Sequence, residues 1–164
     1  MATGKFIPED FRIPEKLETR HFRLRMLTVN DVVKDYDAVM TSIDHLKGVF
    51  GPESSWPSPD LSFEQDLIDL GWHQKEFQKR SSFAYTVVTP DESKIIGCLY
   101  IYPSEKEKYD ARIIMWVRQS AACSGLDEIL YQSVRNWISS QWPFKNPGYP
   151  GREISWEEWL RNKG

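Results

Sequence analysis

Cysteine is almost missing: Cys98 and Cys123 are the only two in 164 residues. Two cysteines cannot build a disulfide framework, and Met1 to Pro14 holds no apolar leader block. They read as reduced thiols in a cytoplasm. Histidine is scarce as well. His21, His45 and His73 are scattered, none at metal-ligand spacing with a cysteine, so no metal site is expected. No run of eighteen apolar residues occurs, which argues against a membrane span. Positive charge is not in excess: 21 Lys and Arg stand against 24 Asp and Glu, a net charge of −3. Such a balance argues against a dedicated nucleic-acid binder. What the chain has in quantity is aromatic bulk, with seven Trp, seven Tyr and eight Phe. A disordered chain is poor in those residues. The length suits one domain over residues 1–164, with an N-terminal extension at 1–16 and a short C-terminal segment at 143–164.

Hydrophobic spacing sets out the elements. Arg20 to Leu27 alternates, with Phe22, Leu24 and Met26 on one side, as in a half-buried strand. Thr28 and Asp31 form a helix start, and Val32, Val33, Tyr36, Val39 and Met40 continue it to about Thr41. Residues 47–60 carry Gly48, Gly51, Pro52, Pro57 and Pro59 and form a loop. Phe50 and Trp56 within it either pin the loop to the core or wall a pocket. Ser62 and Gln65 cap a helix over Phe63–Lys79, whose apolar stripe is Phe63, Leu67, Leu70 and Phe77. Trp72 and His73 on that helix read as surface or packing groups.

Phe83–Val88, Ile95–Tyr102 and Ala111–Val117 read as three strands in an antiparallel meander. A small-residue loop from Arg118 to Gly125 leads into a helix marked by Leu126, Ile129, Leu130, Val134, Trp137 and Ile138, ending at Trp142-Pro143. A Ser155…Glu158 capping pair opens a short turn from Trp156 to Leu160. The fold class is α+β: a mixed, mostly antiparallel central sheet flanked by helices.

Four stretches carry a resemblance. Leu17–Thr28 with Asp31, Lys94–Ile101, Ile113–Val117 and Gly125–Trp137 are similar to segments of the GNAT superfamily, the acyl-CoA-dependent N-acetyltransferases. The branch most resembled acetylates ribosomal-protein N-termini, and the likeness covers about residues 15–142. It implies acetyl-CoA as cofactor and a small-molecule or peptide amine as acceptor. In that family the strand matching Ile113–Val117 pairs through its backbone with the pantetheine arm. The following loop, Gln/Arg-x-x-Gly-x-Gly/Ala, wraps the pyrophosphate. The resemblance therefore assigns cofactor binding to Trp116, Val117, Arg118, Ser124, Gly125 and Leu126.

Two positions depart from that pattern. With Gly125 on the first glycine, Ala122 stands where Gln or Arg is usual and Asp127 where Gly or Ala is usual. A carboxylate 4–6 Å from a pyrophosphate costs on the order of several kcal/mol. Ser124 and Asp127 also form a cap-like pair able to occupy the free N–H groups. The family's acid, a tyrosine that protonates the leaving thiolate, comes from a later region that is short here. Tyr149 is the tyrosine in that stretch, and Asp110, with Glu107, is the candidate base. Tyr100 and Tyr102, at alternate positions on one strand, share a face suited to the acceptor pocket. The competing function is a catalytically inactive module of the same fold used for binding or assembly. A homodimer through exposed Trp156 and Trp159 is a further expectation.

Overall fold

The computed structural model describes residues 5–164. Six strands lie in chain order in one sheet: β1 (Lys16–Glu18), β2 (Arg23–Met26), β3 (Phe83–Val88), β4 (Ile95–Tyr102), β5 (Ala111–Val117) and β6 (Pro147–Gly148). Neighbours from β1 to β5 are antiparallel, and β6 runs parallel to β5. The helices are α1 (Val32–Met40), α2 (Ile43–Leu46), α3 (Phe63–Gln78), α4 (Gln119–Ala122), α5 (Leu126–Gln141) and α6 (Trp156–Arg161). The expected mixed, mostly antiparallel sheet between helices is present.

The central strands are buried on both faces, so burial runs unbroken along β3 and along β4 to Ile101. α5 packs one face through Leu130, Val134, Trp137 and Ile138. α1, α2 and α3 cover the other through Val39, Leu46 and Leu70. A sheet covered twice needs apolar residues at consecutive positions, which is what β-branched and aromatic runs such as Phe83–Val88 supply.

Several boundaries depart from the sequence reading. The first strand is shorter than Arg20–Leu27, because Thr19–Phe22 turns the chain between β1 and β2. Thr19 Oγ1 accepts the backbone N–H groups of His21 and Phe22 there. Helix α4 lies inside the stretch read as a small-residue loop, and helix α2 lies between the Thr41 helix end and the 47–60 loop, where no element was expected; four residues are too short for periodicity to register. The Thr28 start is a capping box: Thr28 Oγ1 accepts from Asn30 N–H and the Asp31 carboxylate accepts from Thr28 N–H. The N-terminal extension joins the core. Ile7 is buried, Arg80 donates to the carbonyls of Pro8 and Phe11, and Tyr85 donates to the carbonyl of Pro14.

The α3 stripe holds in half: Leu70 and Phe77 pack inward, whereas Phe63 and Leu67 do not. Phe63, Leu67, Ile68 and Trp72 are exposed, while Asp66 and Leu70 are buried and His73 is half-buried. The helix turns a partly polar face inward because that face borders a cavity rather than a dry core. Trp159 is likewise not an exposed interface group. It is fully buried, rests against Tyr109 and Gly148, and its indole N–H donates to Glu105. Trp156 is half-buried over Gly51 and Gly151.

Candidate active site

β5 and β6 pair only at Ala111–Pro147 and Arg112–Gly148, then diverge. From Ile113 onward the outer edge of β5 faces a wedge of about 290 Å³ instead of a strand. Ile114 and Met115 line it, with Asp127 from the first turn of α5 and Arg152 from the chain beyond β6. Carbonyls two residues apart on a strand point the same way. Those of Met115 and Val117 do so here, and both have partners. Arg152 Nη2 donates to the Met115 oxygen at 3.2 Å, and His45 Nε2 lies 3.1 Å from the Val117 oxygen.

The same Arg152 makes a two-pronged ion pair with Asp127, at 2.9 and 2.8 Å. Asp127 therefore does not form the cap-like pair with Ser124. Ser124 Oγ donates instead to the carbonyl of Ala121. No side chain caps α5. Gly125 sits at its N-cap in the left-handed region (φ +79°), where other residues are strained. The first N–H groups of α5 have no intrahelical acceptor, as at any helix start.

The structure splits the six residues assigned to cofactor binding. Ser124, Gly125 and Leu126 stand together at the start of α5. Val117 does not line the wedge; its carbonyl, on the same edge of β5 as that of Met115, meets His45. The side chains of Trp116 and Arg118 turn the other way, toward the α1 face. Trp116 Nε1 donates to Tyr100 Oη at 3.0 Å. Arg118 donates to the Ile95 carbonyl, to Asp37 and to Thr41. Asp110 spans neither cleft: its two carboxylate oxygens accept the backbone N–H groups of Lys145 and Asn146, at 2.6 and 3.1 Å, and so tie down the approach to β6. Tyr149 is buried against Tyr131 on the α5 side, and burial raises its hydroxyl above the ordinary tyrosine range.

A second cavity, about 220 Å³, lies over β4 on the α1 and α3 side. Tyr100 forms its floor, and Phe50 and Trp56 wall it from the 47–60 loop. Both readings of those two aromatics hold, since they also pack on the core. Asp35 from α1 and Asp66 from α3 face each other within it. Burial drives both carboxyls upward, most strongly Asp35, where Asp66, Asp31 and Asp69 add to the effect. Burial also pushes His73 down to about 4, against the opposing pull of Asp69 and Glu76, so its ring is neutral near pH 7. Of this cavity, sequence reasoning reached Phe50, Trp56 and Tyr100 but missed the carboxyls. Their one signal was position: Asp66 lies four residues before Leu70, on the same helix face.

The wedge and the cavity adjoin. Val49 lines the first and Phe50 the second, so one loop walls both. Ile114 of the wedge and Tyr100 of the cavity are register partners across β4 and β5. Such partners lie about 5 Å apart at Cα.

No family model matches the chain, and no curated protein does. Solved structures do. Ribosomal-protein-S5-alanine acetyltransferase from Vibrio fischeri is similar over 76% of this chain and 67% of its own, with 17% identity and a TM-score of 0.59. RimL, a ribosomal L7/L12 α-N-protein acetyltransferase solved in complex with coenzyme A, gives a TM-score of 0.61 at 17% identity over the same shares. A GNAT-family acetyltransferase from Bordetella pertussis gives 0.55 at 12% identity, over 77% of this chain and 73% of that one. The fold is thus the one these acetyltransferases share, and the chain spans about two thirds of their length.

Proposed function

We propose that the protein is an N-acetyltransferase that takes acetyl-CoA in the wedge between β5 and β6 and an amine in the cavity over β4. The observation that carries this reading is the register pair Tyr100–Ile114, which sets the two clefts side by side on neighbouring strands. A two-substrate transfer needs donor and acceptor brought to one point, and that proximity is a large part of any such catalysis.

The donor groups fit the cofactor in kind. The outward carbonyls of Met115 and Val117 suit the amides of a pantetheine arm. The uncapped start of α5 at Ser124–Leu126 suits a pyrophosphate. Arg152 removes the objection raised by Asp127, because a paired carboxylate no longer repels an anion at full strength. When bound, acetyl-CoA supplies an acyl group already activated as a thioester. The chain's own residues manage protons. The incoming amine must give up a proton before its nitrogen can bond to the acyl carbon, and the neutral His73 ring or the Asp35–Asp66 pair is placed to receive it. A thiolate leaving such a thioester would need a proton from the chain. Tyr100 suits that task better than Tyr149: it accepts from Trp116 Nε1, which leaves its own O–H to point elsewhere, and burial keeps it protonated.

One observation favours the inactive-module reading. Arg152 and His45 already occupy the two β5 carbonyls that a pantetheine arm would use. Calorimetric titration with acetyl-CoA, on the native protein and on Arg152→Ala, separates the readings. Micromolar binding by the native protein, weakened about tenfold in the variant, is the outcome for a transferase whose Arg152 exchanges Asp127 for pyrophosphate. Absence of binding by both at millimolar ligand overturns the reading in favour of the module. Binding by the variant alone marks Arg152 as a plug on a working site.

A further inference from the structure

The outer face of α3 is apolar where nothing in the chain covers it. Phe63, Leu67, Ile68 and Trp72 are 44%, 37%, 54% and 52% exposed. With large aromatics spanning roughly 150–250 Å² each, the four leave about 300–400 Å² of apolar surface in water. An open patch of that size on a monomer is commonly a contact surface. Along its middle runs one stripe at helical spacing: Glu64, Ile68, Gly71 and Lys75.

The charges on this stripe say what covers it. Glu64 and Lys75 are both exposed. The side-chain pairs within the helix are Gln65 with Asp69 and Glu76 with Lys79, which leaves Glu64 and Lys75 without partners among the described residues. An acid near one end and a base near the other make the face complementary to itself. A second copy laid antiparallel sets each Glu64 against a Lys75, whereas a parallel copy sets like against like. The midpoint of Glu64 and Lys75 falls between Asp69 and Leu70, and Ile68 and Gly71 share that midpoint. The two-fold operation that pairs the charges therefore also lays Ile68 over Gly71.

Gly71 supports the same arrangement. A glycine inside a helix weakens it, and nothing in this chain requires one here. An added Cβ would meet only Val29 Cγ1, at 3.6 Å, an ordinary contact. A missing side chain on an exposed helix face lets another helix approach closely.

We propose that two copies of this chain pair through α3, antiparallel, with Ile68 of each over Gly71 of the other and Glu64 opposite Lys75. The proposal does not depend on the transferase reading. Trp72 also lines the cavity over β4, so the second copy sits at the edge of that cavity. Two such faces with their polar flanks bury roughly 1,000–1,200 Å², the low end for a specific interface, so the dimer is a weak one of micromolar dissociation constant.

The test is sedimentation equilibrium of the full chain from low to high micromolar concentration. The mass should climb from 19.2 kDa toward twice that value, and high salt should weaken the association by screening the charge pairs. Glu64→Lys and Lys75→Glu should each weaken it about tenfold or more, because each sets like charges together. The double variant restores opposite charges and should recover most of the loss. Ile68→Asp and Gly71→Leu should abolish pairing, whereas Gly71→Ala should raise the melting temperature. The other substituted side chains are exposed, so their melting temperatures should stay within a few degrees of the native one, which separates lost pairing from lost fold. A single-chain mass at every concentration overturns the proposal and leaves the face to a different partner. A dimer that survives Ile68→Asp overturns it too, as do single charge reversals that the double variant fails to rescue.

Discussion

Single side chains on α3 and α1 are held in protonation states that water would not favour, and each has a measurable sign. Asp35 and Asp66 have folded-state pKa values raised above the unfolded ones. Their contribution favours the fold below the unfolded carboxyl pKa and is lost as pH rises through the folded values. Asp35→Asn should therefore raise the urea midpoint at pH 7.5, by an amount that shrinks toward pH 4. An unchanged midpoint at pH 7.5 would contradict the burial argument. His73 runs the other way. Its pKa falls from 6.5 to about 4, so the stability it contributes is full above 6.5 and lost on acidification toward 4. His73→Phe keeps a ring against Tyr100 and removes that loss. The variant should exceed the native protein in stability at pH 4.5 more than at pH 7.5, by up to about 2–3 kcal/mol across that interval. Parallel pH profiles would refute it.

At the scale of elements, α6 and β6 show how a short segment can be indispensable to a fold. α6 has six residues, and its Ser155 cap accepts from Glu158 N–H, the pairing that the sequence suggested. Trp159 then inserts against Gly148 of β6, where any Cβ would lie 2.5 Å from its ring. That close approach holds the two-residue β6 beside β5 and so sets where the wedge opens. Trp159→Ala should cost about 3–5 kcal/mol in denaturant unfolding. The dimer expectation gives a contrasting outcome, a fall in mass by light scattering with little loss of stability. The burial of Trp159 within its own chain argues for the first. Gly97 is a similar case on β4: an added Cβ would lie 2.3 Å from the carbonyl oxygen of Trp116. The glycine is therefore required by backbone approach between β4 and β5.

Over the whole molecule, one arginine links three parts. Arg152 joins the C-terminal segment to the edge of β5 and to the start of α5. Asp127 is 44% exposed at its side chain, so the ion pair contributes little to stability, about 0–1 kcal/mol. Its effect should fall on the wedge. Asp127→Gly frees Arg152 and removes a carboxylate beside the α5 N-terminus. If acetyl-CoA enters there, the variant should bind it about tenfold more tightly than the native protein in calorimetry, with a melting temperature within a few degrees. Equal affinity would show that the start of α5 takes no phosphate. Among the described residues no helix is long and apolar enough to cross a membrane.

Local chemistry was enough to place most of the sheet and the long helices. Phe83–Val88, Ile95–Tyr102 and Ala111–Val117 appear as strands in both sequence and structure, and so do the Thr28, Ser62 and Ser155 caps. These depend on neighbours a few residues apart, and such contacts are written in the order of the chain. The inward face of α3 was legible at Leu70 and Phe77 but not in its polar part. Periodicity assumes an apolar interior, and a helix that borders a polar cavity turns Asp66 and His73 inward instead. The pairing of Asp127 with Arg152, 25 positions later, was equally hidden, as was Asp35 opposite Asp66. Charged residues carry no periodic mark of their partners. Only the folded chain decides which carboxylate meets an arginine and which is left to meet another carboxylate.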